Sequence, residues 1–267
     1  MECLAVRRRP TVGWLHTPGI RAVADAHRAL IVEGALFRVA GRRTPDPQAA
    51  LFERLAERGP DAFAEVDGDF VACYVTRDAS FAFKSFTSQY QLYLRARDGL
   101  ASNRLFLLAD DAGPVLDEDY FARHTLIVPG MQFHMRGTPL AGIDRVLPGQ
   151  LVTLGDAHLA RQLVQRDYRY RLDAAQRRED VAPEIVRLLR ESVKDRLDAA
   201  NGADVCIEIS GGLDSSFIAC LVGEVTTGAK GVMFSQPDIP SHRISEQYAV
   251  EVADRYGIDL AIVPPSE

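Results

Sequence analysis

The stretch Ser210-Gly211-Gly212-Leu213-Asp214-Ser215-Ser216 lies between two apolar segments and decides how the second half of the chain is interpreted. Residues 205–209 before it indicate a short buried strand, and residues 215–225 indicate a helix that enters a core. The N–H groups at the start of a helix lack partners and carry partial positive charge. A strand, a Gly-rich turn and a helix in this order therefore predict an anion site, in which the glycines allow close approach and the serines add hydroxyl donors.

The acidic residue in this stretch separates it from the best-known phosphate loop. A Walker loop would end in Gly-Lys-Ser/Thr, with the lysine reaching the β- and γ-phosphates. Here Asp214 stands inside the turn and no lysine does. A carboxylate suits an anion site when a divalent cation joins it to the phosphates. The alternative is an ordinary Gly-rich turn with a serine cap.

The stretch resembles the Ser-Gly-Gly-x-Asp-Ser pyrophosphate loop of ATP pyrophosphatases, which split ATP to AMP and pyrophosphate while activating an acyl or similar group. The resemblance implies that ATP and Mg²⁺ bind here, with Asp214 as the metal ligand. In that pattern Ile209 contacts the nucleotide and the backbone of Phe234 meets adenine, although a core position is an equal alternative for Phe234. The implied ATP- and pyrophosphate-binding residues are Ile209, Ser210, Gly211, Gly212, Asp214, Ser215, Ser216 and Phe234.

Bulk composition limits the classes of protein that are compatible with the chain. Its 267 residues are 47% hydrophobic and 25% charged, which is typical of a soluble globular protein of about two domains. A net charge of −6 argues against a nucleic-acid surface, and the absence of an apolar run of about 18 residues argues against a membrane span. The cysteines are scattered without zinc spacing, which predicts a reduced, cytoplasmic protein with Cys73, Cys206 and Cys220 in the core.

The first half of the chain indicates an α+β domain built of many short strands. We expect strand structure around Gly34, a helix that starts near Pro47, and a short helix after Asp117. Three further apolar runs predict an antiparallel meander, followed later by a strand after a Pro-Gly turn: residues 70–75, 80–86, 91–94 and 151–154.

Two motifs in this half resemble the glutaminase-type domain of asparagine synthetases. Residues 66–72 resemble its Leu-Asp-Gly-x-Phe-Ala-Phe strand, and residues 142–150 resemble its Gly-Ile-x-x-Leu-Pro-Pro-Gly-His segment. With the pyrophosphate loop, the resemblance implies an Ntn-hydrolase-like αββα sandwich over residues 1–165. It implies an incomplete α/β parallel-sheet ATP-pyrophosphatase domain, of the adenine nucleotide alpha hydrolase type, over residues 178–267.

The departures from that family predict a first domain without glutaminase activity. The family uses a cysteine freed at the N-terminus as nucleophile, whereas here Glu2 precedes Cys3. Its oxyanion-hole Asn-Gly aligns with Glu33 and Gly34, and an anionic Glu33 would repel an oxyanion. Asp46 could match the carboxylate that binds the substrate amine. The competing view is that Cys3 is a working nucleophile.

The second half alternates helices and strands, which predicts a parallel sheet that binds ligands at the carboxyl ends of its strands. A polar segment at 168–178 marks a domain boundary and an amphipathic helix follows it. Residues 245–249 resemble the family's Asp-Glu-Ser-x-Tyr-Ala segment, with Glu246 expected to be solvated. The chain stops after three predicted strands, so we expect a fragment or, as the alternative, half of a split enzyme.

The leading functional hypothesis is an ATP-dependent amide-forming ligase that activates a carboxylate as an acyl-adenylate and releases pyrophosphate, in the manner of lasso-peptide cyclases or β-lactam synthetases. The alternatives are a glutamine-hydrolysing asparagine synthetase and a non-catalytic nucleotide-binding fragment. The expected partners are a small-molecule or peptide carboxylate and either a missing synthetase half or a homodimer partner, with no nucleic acid and no membrane.

Overall fold

The computed structural model describes residues 4–7, 13–16, 20–109, 113–126, 136–154, 159–164, 177–236 and 238–264. The chain divides into two compact units, Met1–Tyr168 and Arg169–Glu267. Most of the polar segment predicted as a boundary, residues 168–176, lies outside the described residues. No helix in the described ranges is long and apolar enough to cross a membrane.

The first unit is a mixed unit of antiparallel strands and short helices, as expected of an α+β domain. Its strands are β1 (Leu4–Arg7), β2 (Gly13–His16), β3 (Arg21–Ala24), β4 (Arg28–Val39), β5 (Val66–Thr76), β6 (Ser80–Lys84), β7 (Tyr93–Arg95), β8 (Leu100–Ser102), β9 (Ile143–Arg145), β10 (Gln150–Leu154) and β11 (Leu159–Leu163). Its α-helices are α1 (Pro47–Arg58) and α2 (Glu118–Leu126). The unit also contains two 3₁₀ helices, at Gly59–Glu65 and Leu105–Leu108.

These strands form two sheets. The five-stranded sheet has the order β2-β1-β8-β7-β9, and the six-stranded sheet has the order β11-β10-β6-β5-β4-β3. Alternation along β4 sends Ile31 into a core cluster that also holds Leu94 and Ala101 of the five-stranded sheet. Leu30 packs in a second cluster with Leu51 of α1. The six-stranded sheet is therefore buried on both faces, by the other sheet and by α1.

Helix α1 forms where its sequence predicts it. The Asp46 carboxylate caps the helix by accepting a hydrogen bond from Ala49 N–H at 3.0 Å, and Pro47 occupies the first turn. Leu51, Phe52 and Leu55 form its buried face. Capping α1 is thus a structural role that accounts for Asp46 without assigning it to the binding of a substrate amine.

The predicted meander is wrong in its last strand. β5 and β6 pair as expected, but the next neighbour of β6 is β10, while β7 joins the other sheet between β8 and β9. Leu92 and Leu94 are fully buried in the core between the sheets. The apolar run 91–94 buries its side chains by joining the five-stranded sheet. The same apolar pattern would also fit a hairpin with β6, so the pattern alone does not identify the partner strand.

The second unit alternates helices with parallel strands. Its elements are α3 (Arg178–Ala200), β12 (Cys206–Glu208), α4 (Leu213–Val225), β13 (Lys230–Phe234), α5 (Pro240–Tyr256) and β14 (Asp259–Val263). The strands pair in parallel in the order β12-β13-β14, which confirms the parallel pairing expected from the sequence. Asn201 ends α3 in the left-handed conformation that the sequence indicated.

Strand β12 is shorter and more exposed than predicted. It covers three residues, and both Cys206 and Glu208 are exposed, whereas the buried residue of the segment is Ile209, just beyond the strand. The expectation that Cys206 is a core residue is therefore wrong, and Cys220 is half-buried. Cys73 is fully buried as predicted, and burial raises the pKa of its thiol to about 12.

Candidate functional site: the carboxyl edge of the parallel sheet

The carboxyl ends of the three parallel strands meet at one edge of the second unit. Ile209 N–H, beyond β12, donates to Val232 O of β13 at 2.9 Å, and Ser235 N–H donates to Val263 O of β14 at 3.1 Å. Helices α4 and α5 begin after the first two strands, so their N-terminal ends lie on the same edge. This edge brings the predicted loop together with Phe234 and Ser235.

The loop after β12 packs closely against α5 at Gly211. Gly211 has φ +75°, a left-handed conformation that side chains rarely adopt. A Cβ built on Gly211 would lie 1.9 Å from the carbonyl oxygen of Ser245 in α5, a backbone atom that cannot swing away. The glycine at this position is therefore required by both conformation and space.

Two serine hydroxyls hold the loop in shape. Ser210 N–H donates to Ser215 Oγ at 3.1 Å, and the two Oγ atoms are 2.9 Å apart. Gly212 N–H makes a longer contact of 3.4 Å with Ser210 Oγ. Ser210 and Ser215 thus close the turn on itself, while Ser216 N–H makes the first helical hydrogen bond, to Gly212 O at 3.1 Å.

Helix α4 begins two residues earlier than the sequence indicated. It starts at Leu213, so Asp214 lies in its first turn rather than in the preceding loop. The N-cap residue is Gly212, which has no side chain to cap the helix. Among the described residues, the N–H groups of Leu213, Asp214 and Ser215 have no acceptor. Free amides at an exposed helix start suit a phosphate group.

Asp214 fits a magnesium site that is shared with a polyphosphate. Its carboxylate is exposed beside the uncapped amides. Among the described residues, no group of three or more His, Cys, Asp or Glu side chains could hold a metal ion. Mg²⁺ commonly binds one or two protein carboxylates and takes its remaining ligands from phosphates and water, so one carboxylate in this position suffices.

The two remaining predicted site residues differ sharply in exposure. Phe234, at the end of β13, is 64% exposed, so the alternative that it is a core aromatic is wrong. Ile209 is fully buried in the core of the second unit, where its side chain lies next to Gly231. Phe234 can offer both its ring and its backbone to a ligand at this edge, whereas Ile209 can offer its backbone alone.

A hydrogen bond that sequence reasoning missed joins β13 to α5. Ser235 is buried directly after β13, and its Oγ donates to Glu246 Oε2 at 2.9 Å. Glu246 is half-buried, so the expectation that it is solvated is wrong. The bond holds α5 against the end of β13, one residue from Ser245, whose carbonyl oxygen lies close to Gly211 of the loop. The signal available in the sequence is a serine directly after an apolar run of strand length, which indicates a position at this edge but does not identify the partner.

The positions that resemble a glutaminase lie in the first unit. Cys3 is outside the described residues. Glu33 lies on β4 opposite Val71 and lines a cleft of about 620 Å³ together with Tyr90, Asn103 and Arg104. An acidic residue therefore lines this cleft at the position where the family pattern has an asparagine.

The comparisons with known proteins relate the second unit to one family. Residues 184–265, under half of the chain, match the family described as Asparagine synthase, and the match contains the whole loop with α4, α5 and all three parallel strands. It supports a relation to an ATP-dependent amidation or ligase family at a coarse level. No curated protein is significantly similar to the sequence.

Two solved structures are similar to the chain at low identity. One is described as the structure of the allosteric regulatory enzyme of purine biosynthesis, with 11% identity, a TM-score of 0.33, and coverage of 92% of this chain and 62% of that chain. The other is glutamine phosphoribosylpyrophosphate amidotransferase from B. subtilis complexed with ADP and GMP, with 11% identity, a TM-score of 0.31 and coverage of 92% and 64%. The chain spans under two thirds of the length of each, and similarity at this level determines neither fold nor function.

Proposed function

We propose that this chain carries the nucleotide-binding part of an ATP-dependent ligase that forms amide bonds. The enzyme would activate a substrate carboxylate as an acyl-adenylate, release pyrophosphate, and pass the acyl group to an amine. Lasso-peptide cyclases and β-lactam synthetases, in which the amine belongs to the substrate, are the branches of the family that this proposal favours.

The observation that carries the proposal is the uncapped start of α4 with Asp214 in its first turn. Three backbone amides without acceptors among the described residues stand next to an exposed carboxylate. A carboxylate alone would repel a polyphosphate, because like charges at close range cost free energy. The proximity of the carboxylate and the polyphosphate becomes favourable when Mg²⁺ lies between them. Asp214 would hold that ion, and the bound ion would neutralise charge on the phosphates.

Each loop residue has a role in this proposal. The amides of the helix start bind the pyrophosphate portion of ATP and orient it toward the sheet edge. Ser210 and Ser215 keep the turn closed, and Ser216, in the first turn of α4, can add a donor. Ile209 and Phe234 are assigned to the nucleoside, where the exposed Phe234 offers an apolar surface for the base.

The first unit is proposed to be a glutaminase-like domain, an αββα sandwich over residues 1–165, without glutaminase activity. The support is Glu33, an acidic residue that lines a cleft of this unit and stands where the family pattern has its oxyanion-hole asparagine. Glutamine-hydrolysing asparagine synthetase therefore remains the second candidate among enzymes. A nucleotide-binding fragment without catalysis remains the candidate from another class.

Product analysis of ATP turnover tests the proposed reaction class. The chain, alone and with cell extract as a source of carboxylate, amine and protein partners, is incubated with Mg²⁺ and ATP labelled at the α-phosphate or, in a parallel sample, at the γ-phosphate. We expect AMP and pyrophosphate to appear in equal amounts and to require both the chain and the extract. Formation of ADP and phosphate by the chain would contradict the proposal, whereas Mg²⁺–ATP binding without turnover in either setting would favour the non-catalytic alternative.

A further inference from the structure

The segment that follows β13 is tied to α5 by two side chains of that helix. Glu246 Oε2 accepts a hydrogen bond from Ser235 Oγ at 2.9 Å, and His242 Nδ1 accepts one from Gln236 N–H at 3.1 Å. His242 and Glu246 are four residues apart, so they lie on one face of α5. Two consecutive residues after the strand are thus held by neighbouring turns of one helix.

Other contacts already begin α5 and attach it to the sheet. No side chain caps the helix at its N-cap residue, Ile239, and the His242 ring bonds to the preceding segment instead. Ala249 and Ala253 of α5 pack with Met233 of β13 in the apolar core of the second unit. The effect of the two hydrogen bonds is therefore local, on the conformation of the two residues after β13.

Phe234, the last residue of β13, directly precedes this held segment. Successive residues of a strand direct their N–H and C=O groups to opposite edges, and Ser235 N–H points to β14, where it donates to Val263 O at 3.1 Å. The carbonyl of Val232, two residues before Phe234, points to β12, where it accepts from Ile209 N–H at 2.9 Å. The backbone of Phe234 therefore faces the end of β12, where the loop before α4 begins.

We infer that His242 and Glu246 are positioning residues for the nucleoside of ATP, an inference that rests on the proposed function. Adenine presents a ring acceptor beside an amino donor, which a backbone N–H and C=O can match. A strand end that is not held must be ordered at each binding event, and this cost lowers affinity. By fixing Ser235 and Gln236, the two side chains keep Phe234 in place beside the loop and act on the nucleoside through it.

Binding of two ligands to the full chain separates this role from a general structural one. Isothermal titration calorimetry compares Mg²⁺–ATP with magnesium tripolyphosphate, which has the three phosphates of ATP and no nucleoside. His242→Leu and Glu246→Ala each remove an acceptor. We expect each to weaken Mg²⁺–ATP binding by about tenfold and to change tripolyphosphate binding by less than about twofold. His242→Asn and Glu246→Gln keep an acceptor and should retain most of the ATP affinity.

Two further variants assign the effect to these hydrogen bonds. Ser235→Ala breaks the bond to Glu246 from the other side, so it should reproduce the loss of Glu246→Ala and replaces that variant should it fail to fold. Glu251→Ala, the same change at an exposed position of α5, is the control and should leave both affinities unchanged.

Three results would overturn the inference. The variants could bind Mg²⁺–ATP like the unmodified chain, or they could lose affinity for both ligands equally, which a purely structural role would produce. Equal affinity of the unmodified chain for the two ligands would remove the nucleoside contribution while leaving the proposed phosphate site intact. Failure of the unmodified chain to bind tripolyphosphate would contradict the proposed function, and the inference with it.

Discussion

Asp214→Asn is expected to reduce ATP–pyrophosphate exchange by about 10²-fold or more, because under the proposed function it removes the charge that would hold Mg²⁺ on the phosphates. Asparagine keeps the shape of the side chain. The position is exposed in the first turn of α4, so the fold should survive. Loss of a negative charge near a helix N-terminus costs stability by about 0.5 kcal/mol, which is too little to account for such an effect.

The rival view assigns Asp214 a capping role, and it makes a different prediction. Asparagine caps a helix as well as aspartate does, so Asp214→Asn would be nearly silent. The geometry argues against a cap, because the N-cap residue is Gly212 and no side chain caps α4. Exchange is measured against Mg²⁺ concentration, in the presence of the extract or partner that supports turnover. Asp254→Asn, the same change at the exposed far end of α5, is the control and should retain full exchange.

Gly211→Ala is expected to lower the free energy of unfolding of the second unit by about 2–4 kcal/mol. This loss has two sources: the cost of placing alanine in a left-handed conformation and the steric clash of its Cβ. The new Cβ would lie 1.9 Å from the carbonyl oxygen of Ser245, so α5 must shift away from the loop. Such a shift would also strain the Ser235–Glu246 hydrogen bond. Nucleotide binding should therefore weaken together with stability.

A matched control separates the clash from the conformational cost. Gly228 has φ +77°, close to the +75° of Gly211, but a Cβ there would meet nothing within 4 Å. Gly228→Ala should therefore cost about 1–2 kcal/mol from backbone conformation alone. Urea unfolding followed by circular dichroism compares the two variants. Equal losses of stability would show that the contact between the loop and α5 is not tight.

The second unit could be predicted closely from the sequence because its signals are local. Asn201 ends α3, Gly257 follows α5, and apolar runs of strand length alternate with helical periodicity. The start of α4 was placed two residues late, because the helix begins directly after a glycine N-cap that offers no side-chain signal. This error moved Asp214 from a helix into a loop.

What the sequence could not provide is the set of contacts between distant segments. The pairing of β6 with β10 joins residues about 70 positions apart, and the local pattern of either strand is compatible with other neighbours. The Ser235–Glu246 bond depends on the same kind of packing. Exposure was also misjudged for Cys206, because an apolar run does not indicate how much of a short strand is covered.

The most direct test of the central claim, that the start of α4 binds the pyrophosphate of ATP, is backbone amide nuclear magnetic resonance during titration with magnesium pyrophosphate. This measurement needs neither the carboxylate substrate nor turnover. We expect the largest shifts at the amides of Leu213, Asp214 and Ser215, and a marked loss of these shifts when Mg²⁺ is omitted. Unchanged amides in this loop at saturating magnesium pyrophosphate would contradict the claim.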